Sequence, residues 1–123
     1  KLMINNAMNP LSVLTGLDTH ALSNHPEFGR CVYRIMEETA LAAEADGVLI
    51  EARDIEQMYD LIRKFEPIKT SMLVDYEKGR ALEIDEIAGA VIDRSRAIGR
   101  AAGLTELVIG LLRHKLDRGR HTG

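Results

Sequence analysis

The sequence lacks the features that mark several large classes of protein. It has one cysteine, Cys31, so no disulfide can form within the chain, and such cysteine usage is typical of a reducing compartment. No apolar run approaches the roughly 20 residues that span a bilayer, and there is no secretory signal pattern. A net charge of −3 leaves no basic face for nucleic acid. We therefore expect a cytoplasmic protein that binds neither membranes nor nucleic acid.

Motifs for nucleotides, metals and nucleophilic catalysis are also missing. The chain has no G-x-G-x-x-G after a strand, no P-loop and no alternation of strands with helices. Its four histidines have no spacing that would bring them onto one metal ion, and no nucleophile motif accompanies them. We predict no metal site here. Because the chain opens on its first motif without an initiator methionine, we expect it to be an excised part of a longer protein.

Helical periodicity is the main structural signal. With 123 residues, 46% of them hydrophobic, the chain suits one compact domain that buries a substantial core. Apolar residues recur at helical spacing from 26 to 45 and from 51 to 65, and Thr105 can cap a last helix. The sequence thus predicts an all-α bundle of six or seven helices over residues 1–116, followed by a polar tail at 117–123.

The boundaries of the predicted helices follow from caps, prolines and glycines. Pro10 predicts a kink or break in the opening helix, because proline lacks an amide hydrogen and clashes with the preceding turn. Asn24 is the predicted cap of the helix that follows it. Asp85 is the predicted cap of a long helix that contains Gly89 and Gly99, and glycines inside a helix suggest a close approach of another group.

The most informative stretch is 71–89, with the sequence SMLVDYEKGRALEIDEIAG. Thr70 or Ser71 can cap a short helix, and Gly79 supplies the left-handed position that commonly ends one. Glu83 then stands between two apolar residues at the entrance of the next helix. A carboxylate restricted in this way is a candidate for chemistry, although most such glutamates are solvated or capping residues.

The first ten residues, KLMINNAMNP, contain a polar stripe. Lys1, Asn5 and Asn9 are spaced at i, i+4 and i+8, so on a helix they project from one side. Asparagine is a poor helix former, which favours a stripe that faces something polar. Both a bound ligand and an ordinary wet helix face remain open on this pattern alone.

Together these stretches resemble a known family. K-x-x-x-N-x-x-x-N-P at Lys1, S-M-L-x-D at Ser71 and G-R-x-x-E-I-D-x-I-x-G at Gly79 resemble the C-terminal domain of ketopantoate reductase, also called 2-dehydropantoate 2-reductase. The resemblance spans Lys1 to about Leu116. It implies a helical fold like the C-terminal domain of 6-phosphogluconate dehydrogenase. It also implies that a Rossmann domain, absent from this chain, comes first and binds NADP.

The resemblance also implies an activity and a set of residues. The activity is the NADPH-dependent reduction of ketopantoate to pantoate in pantothenate biosynthesis. Lys1 would be the general acid and Glu83 the second catalytic residue, while Asn5, Asn9 and Ser71 would bind the 2-oxo acid substrate. An ammonium suits this role because it first stabilises the growing negative charge on oxygen and then neutralises it.

Two departures from the family pattern leave alternatives open. Leu82 stands where the family often has threonine, and Ala88 stands at the asparagine position of the usual I-N-G. Hydrogen bonds that shape the end of the family's substrate pocket are therefore expected to be lost. The alternatives are another 2-oxo acid or hydroxyacid dehydrogenase of the same superfamily and a non-catalytic helical interaction module. Alanine-rich helix faces also suit contacts between two copies of the chain, so a homodimer is possible on this pattern.

Because the nucleotide-binding domain is not part of this sequence, the chain alone is predicted to be inactive.

Overall fold

In the computed structural model, all regular structure among the described residues is helical. The backbone is described for residues 2–122 and the side chains for residues 3–118. The helices are α1 (Leu2–Thr15), α2 (Thr19–Asn24), α3 (Phe28–Ala43), α4 (Ala52–Arg63), α5 (Ser71–Glu77), α6 (Ala90–Ala97) and α7 (Gly103–Thr122). A 3-10 turn at Glu44–Asp46 follows α3, and a π-helical turn at Asp85–Gly89 leads into α6. The predicted all-α bundle of six or seven helices is confirmed.

Helix α1 is the centre of the bundle. Residues 6–13 are all buried, so other elements surround this helix on every side. It packs against α2, α3, α5, α7 and the π-helical turn. Pro10 lies inside α1, and of the kink or break predicted there, the break does not occur, because the helix continues to Thr15. A proline within a helix costs on the order of 3 kcal/mol, and burial of the whole surrounding turn offsets that cost.

Two apolar clusters lie against α1. One of them joins α1 to α2, α3, α4 and α7. The other joins Val13 of α1 to Met72 of α5, to the π-helical turn and to Ile109 and Leu112 of α7. The second cluster therefore holds the stretch 71–89, which carries two of the predicted site residues, against the central helix.

A buried carboxylate fixes the start of α7. Thr105 was the predicted cap, but α7 already begins at Gly103, and Thr105 lies in its first turn. The acceptor is Glu38 of α3, which receives hydrogen bonds from the backbone N–H groups of Leu104 (2.9 Å) and Thr105 (2.8 Å) and from the Thr105 hydroxyl (2.8 Å). Negative charge at a helix N-terminus is favourable, so Glu38 both caps α7 and docks it on α3.

The cap of α3 also differs from the prediction. Asn24 ends α2, and its side-chain amide donates to the carbonyl of Arg63 instead. The ring nitrogen Nδ1 of His25 accepts from the backbone N–H groups of Glu27 and Phe28, both at 3.1 Å. An extended backbone at His25 places the ring over the start of α3, where an asparagine one residue earlier does not reach.

The predicted long helix is shorter than expected, and its first turn is π-helical and continues directly into α6. Asp85 is the first residue of that turn and not its cap, and Gly99, with φ of 72°, ends the helical segment two residues after α6. A Cβ atom on Gly89 would make only ordinary contacts, the nearest at 3.6 Å, so the expected close approach is absent there. It occurs at Gly29, where a Cβ atom would lie 2.8 Å from the carbonyl oxygen of Ser23.

Among the described residues, none of the helices combines the length and the apolar character that a bilayer crossing requires.

The role of Glu38 can be tested with a neutral substitution of nearly the same volume. We expect Glu38→Gln to lower the free energy of unfolding of the 123-residue chain by about 2 kcal/mol, because three hydrogen bonds lose a charged acceptor. The matched control is Glu37→Gln on the same helix, whose exposed pair with Arg34 (3.6 Å) is worth less than about 1 kcal/mol. Urea unfolding measures both. Equal unfolding midpoints for the two variants would refute the docking role.

Candidate functional site

Three of the predicted site residues lie around one cleft. Asn9 comes from α1, Ser71 is the first residue of α5, and Glu83 precedes the π-helical turn. The cleft is lined by Asn9, Ser71, Met72, Asp75, Glu83 and Ile87. Its volume is about 20 Å³, which leaves room for about one water molecule. Residues from three elements, up to 74 positions apart in sequence (9 to 83), thus meet at a single small opening.

The floor and the rim of the cleft have different character. Met72 and Ile87 are buried members of the second apolar cluster and form the floor. Asn9 is only 6% exposed, so its side chain is packed within the bundle. Ser71 and Glu83 are exposed and form the rim. A ligand would therefore meet an apolar floor, one nearly buried amide, and a hydroxyl and a carboxylate that face solvent.

The other two predicted site residues do not line the cleft. Lys1 lies outside the described residues, so its proximity to Glu83 stays a prediction. Asn5 is half-buried on α1, one turn before Asn9, and does not contribute to the wall of the cleft. Its predicted contact with substrate also stays a prediction.

Ser71 is placed at the rim by the cap of α5. Thr70 has the extended backbone of an N-cap, with φ of −66° and ψ of 157°, and its hydroxyl oxygen accepts from the backbone N–H of Leu73 at 3.1 Å. Of the two predicted caps, Thr70 is therefore the one used. The Ser71 hydroxyl is not needed for the cap and can bind a ligand.

Glu83 is placed by the turn that follows α5. Gly79 has φ of 71°, as the left-handed helix end predicted from sequence requires. The backbone N–H of Arg80 then donates to the carbonyl of Asp75 at 2.8 Å, which closes the turn. Beyond Glu83, Ile84 is buried in the second apolar cluster and anchors the chain. Glu83 itself stays exposed between the half-buried Leu82 and the buried Ile84.

Asp75 is a cleft residue that the sequence analysis missed. It brings a second carboxylate to the cleft that contains Glu83, and Arg80 Nη1 lies 3.4 Å from its Oδ1. Its spacing of four residues from Ser71 was the available signal, because residues at i and i+4 share one side of a helix. The paired arginine offsets part of the negative charge that Asp75 adds.

A larger cavity lies elsewhere and contains none of the predicted site residues. Its volume is about 360 Å³, and its wall is mostly apolar, with contributions from Met3, Met58 and Val91. Its main polar feature is an ion pair of 2.8 Å between Arg94 and Asp46. Volume alone does not make a reaction site, so the smaller cleft, where amide, hydroxyl and carboxylate groups meet, is the better candidate. Among the described side chains, no cluster of His, Cys, Asp and Glu could hold a metal ion.

Comparison with known proteins identifies the domain. Residues 1–116 match the family described as ketopantoate reductase PanE/ApbA, C-terminal. The chain belongs to the ketopantoate reductase family. The membership predicted from three sequence motifs is thus confirmed, and the helical bundle described above is the C-terminal domain of that family.

Two curated members of the ketopantoate reductase family align with 80% and 97% of the chain. The 2-dehydropantoate 2-reductase of Nostoc sp. is 31% identical over 99 residues, which are 80% of this chain and 31% of the relative. That of Mesorhizobium japonicum is 32% identical over 123 residues, 97% of this chain and 36% of the relative. This chain therefore spans about a third of the length of these curated relatives.

Solved structures agree with the fold. The crystal structure of 2-dehydropantoate 2-reductase from Methylococcus capsulatus superposes with a TM-score of 0.86 at 36% identity, covering 95% of this chain and 40% of that one. The complex of D-mandelate dehydrogenase with NADH gives a TM-score of 0.84 at 24% identity, covering 96% of this chain and 41% of that one. The second likeness shows a shared fold only.

The turn that positions Glu83 can be tested with two glycines. We expect Gly79→Ala to lower the free energy of unfolding by about 1 kcal/mol, because a side chain disfavours left-handed backbone. Gly110→Ala is the matched control. Gly110 lies within α7 and a Cβ atom there meets open space, so alanine should stabilise the chain by up to about 1 kcal/mol. Shifts of the same sign in urea unfolding would contradict the assignment.

Proposed function

We propose that this chain is the substrate-binding and catalytic half of an NADPH-dependent 2-dehydropantoate 2-reductase, which reduces ketopantoate to pantoate. The observation that carries the proposal is the convergence of Asn9, Ser71 and Glu83 on one cleft in a domain of this family. Each of these residues stands in one of the three family motifs. Because all three residues line the same cleft, one bound substrate could contact all three motifs.

The size of the cleft supports the idea of half a site. Pockets that enclose small ligands are typically about 300–1,000 Å³, whereas this cleft has about 20 Å³. A 2-oxo acid can therefore rest against its rim but cannot be enclosed by it. A Rossmann domain, which the length of the relatives leaves room for, would supply the second wall.

The described residues do not themselves form a nucleotide site. They contain no strand followed by a glycine-rich turn into a helix, which is the usual cradle for a dinucleotide pyrophosphate. The cofactor is therefore assigned to the Rossmann domain, and when bound there as NADPH it would supply the hydride.

The charges around the cleft determine how a 2-oxo acid would lie. Glu83 and Asp75 repel the substrate carboxylate, so that group is assigned to neutral donors, the Asn9 amide and the Ser71 hydroxyl. An ionised Glu83 can only accept hydrogen bonds, which suits the hydroxyl group of ketopantoate. Lys1 is assigned the proton that the carbonyl oxygen needs as it becomes an alkoxide, and Asn5 a supporting contact one turn along.

The two departures from the family pattern do not touch this cleft. Ala88 is completely buried within the second apolar cluster, and Leu82 packs against the same cluster. Neither residue lines the cleft. The two departures therefore leave Asn9, Ser71 and Glu83 in place around the cleft.

The catalytic assignments can be tested in a two-domain protein that joins this chain to its nucleotide-binding domain. We expect Lys1→Ala and Glu83→Gln each to lower kcat with ketopantoate by about 100-fold or more, because a positioned proton donor or a substrate-binding carboxylate is lost. NADPH consumption measures turnover, and cofactor fluorescence should report unchanged NADPH binding. Glu86→Gln, an exposed glutamate outside the cleft, is the control and should keep full activity. Wild-type turnover in Lys1→Ala would refute its role.

The isolated 123-residue chain is expected to show no NADPH consumption with ketopantoate, because the main cofactor site is assigned to the other domain. Steady turnover by the isolated chain would contradict that assignment.

The two-domain protein can also be assayed with an aryl-substituted 2-oxo acid in place of ketopantoate. A higher kcat/KM for the aryl compound than for ketopantoate would favour a different hydroxyacid dehydrogenase.

A further inference from the structure

Two buried hydroxyl groups link the elements that carry Asn9 and Ser71. Ser12 lies on α1, almost one turn after Asn9, and is completely buried. Thr70 immediately precedes Ser71 and is 7% exposed. The oxygen atoms Ser12 Oγ and Thr70 Oγ1 are 2.5 Å apart. Neither residue lines the cleft, and the proposed chemistry uses neither of them.

The direction of the hydrogen bonds follows from the partners. Ser12 Oγ lies 2.7 Å from the carbonyl oxygen of Asn9, which can only accept, so Ser12 donates its single hydrogen there. Thr70 must then be the donor between the two hydroxyls. Thr70 Oγ1 in turn accepts from the backbone N–H of Leu73. One arrangement of hydrogens satisfies the chain of bonds from Leu73 through Thr70 and Ser12 to Asn9.

The hydrogen bonds from Leu73 through Thr70 and Ser12 to Asn9, called the relay below, depend on direction. The apolar contact between α1 and α5 does not. Among the described residues, the bond between Ser12 and Thr70 is the one side-chain hydrogen bond that connects the α5 cap to α1. The apolar contacts of Val13 and Met72 resist separation but are tolerant of small sliding movements. Hydrogen bonds weaken steeply with distance and angle, so the relay fixes the register of α5 on α1.

We infer that Ser12 and Thr70 are positioning residues that set the distance between the Asn9 amide and the Ser71 hydroxyl, and hence the affinity for the 2-oxo acid. The inference rests on the proposed function. The side chains that bind substrate must be held within about 0.5 Å of their productive positions, and this relay holds the backbone of both elements next to the cleft. The two residues act through Asn9 and Ser71 and do not touch substrate.

The test uses steady-state kinetics of the two-domain protein with ketopantoate and NADPH. Ser12→Ala removes the hydrogen bond to Thr70 but keeps the Thr70 cap of α5. Thr70→Val removes both the hydrogen bond to Ser12 and the cap. We expect each to raise KM for ketopantoate about tenfold, equivalent to about 1.4 kcal/mol, with kcat changed less than about threefold. The double variant should resemble the single variants, because the relay acts as a unit. Thr70→Ser retains the hydroxyl and should keep the wild-type KM.

The control is Thr39→Val, which removes another buried hydroxyl contact of α1. There the Asn6 amide donates to Thr39 Oγ1 at 2.9 Å, on the side facing α3 and away from the cleft. We expect Thr39→Val and Ser12→Ala to lower the urea midpoint of the 123-residue chain by similar amounts. Only Ser12→Ala should raise KM, so a general loss of stability is distinguished from misplacement of the cleft residues.

The possible outcomes separate this inference from the proposed function. If the wild-type protein reduces ketopantoate and Ser12→Ala keeps its KM, the positioning role is refuted and the function stands. If Thr39→Val raises KM as much as Ser12→Ala, the positioning role is also refuted. If the wild-type protein does not consume NADPH with ketopantoate, the proposed function is wrong and the inference falls with it. If Thr70→Val does not fold, Ser12→Ala and Thr70→Ser decide the question between them.

Discussion

The structure depends on the burial of α1 on all sides. A helix whose residues 6–13 are all buried cannot move without disturbing every element packed on it. That constraint explains how Pro10 is accommodated in mid-helix, and it explains why polar groups on this helix need partners inside the bundle. The Asn6 amide nitrogen finds its partner on α3 and Ser12 at the cap of α5, whereas the buried Asn6 Oδ1 has no partner among the described residues. Burial of α1 therefore makes it a fixed reference for the cleft residue Asn9.

The cleft forms where elements anchored on α1 meet but leave a gap. The cap at Thr70 starts α5 beside Asn9, and the left-handed Gly79 turns the chain back so that Glu83 arrives at the same opening. The apolar cluster beneath holds these pieces together, while the rim stays exposed. Such a surface is well defined but shallow. This combination suits a domain that contributes one wall of a site shared with a nucleotide-binding domain.

The sequence predicted only part of the local structure of this fold. Gly79 was predicted correctly as a left-handed helix end, and Thr70 was one of two predicted caps, because both features depend on a few neighbouring residues. The predicted caps Asn24 and Thr105 were wrong because His25 and the distant Glu38 accept those hydrogen bonds instead. No break occurs at Pro10, because packing outweighed a local preference. Glu38 was missed because its partners are 66 and 67 residues away. The cleft residues were found through family motifs, since spacing alone does not bring Asn9 to Glu83.

The most direct test of the central claim is to map the substrate on the protein. Isotope-labelled two-domain protein saturated with NADP⁺ would be titrated with ketopantoate while the backbone amide resonances are followed by NMR. Within this chain, the account predicts that the largest shifts cluster at Asn9, Ser71 and Glu83 around the small cleft. Shifts centred instead on the cavity of about 360 Å³ beside Met58 and Val91 would contradict it.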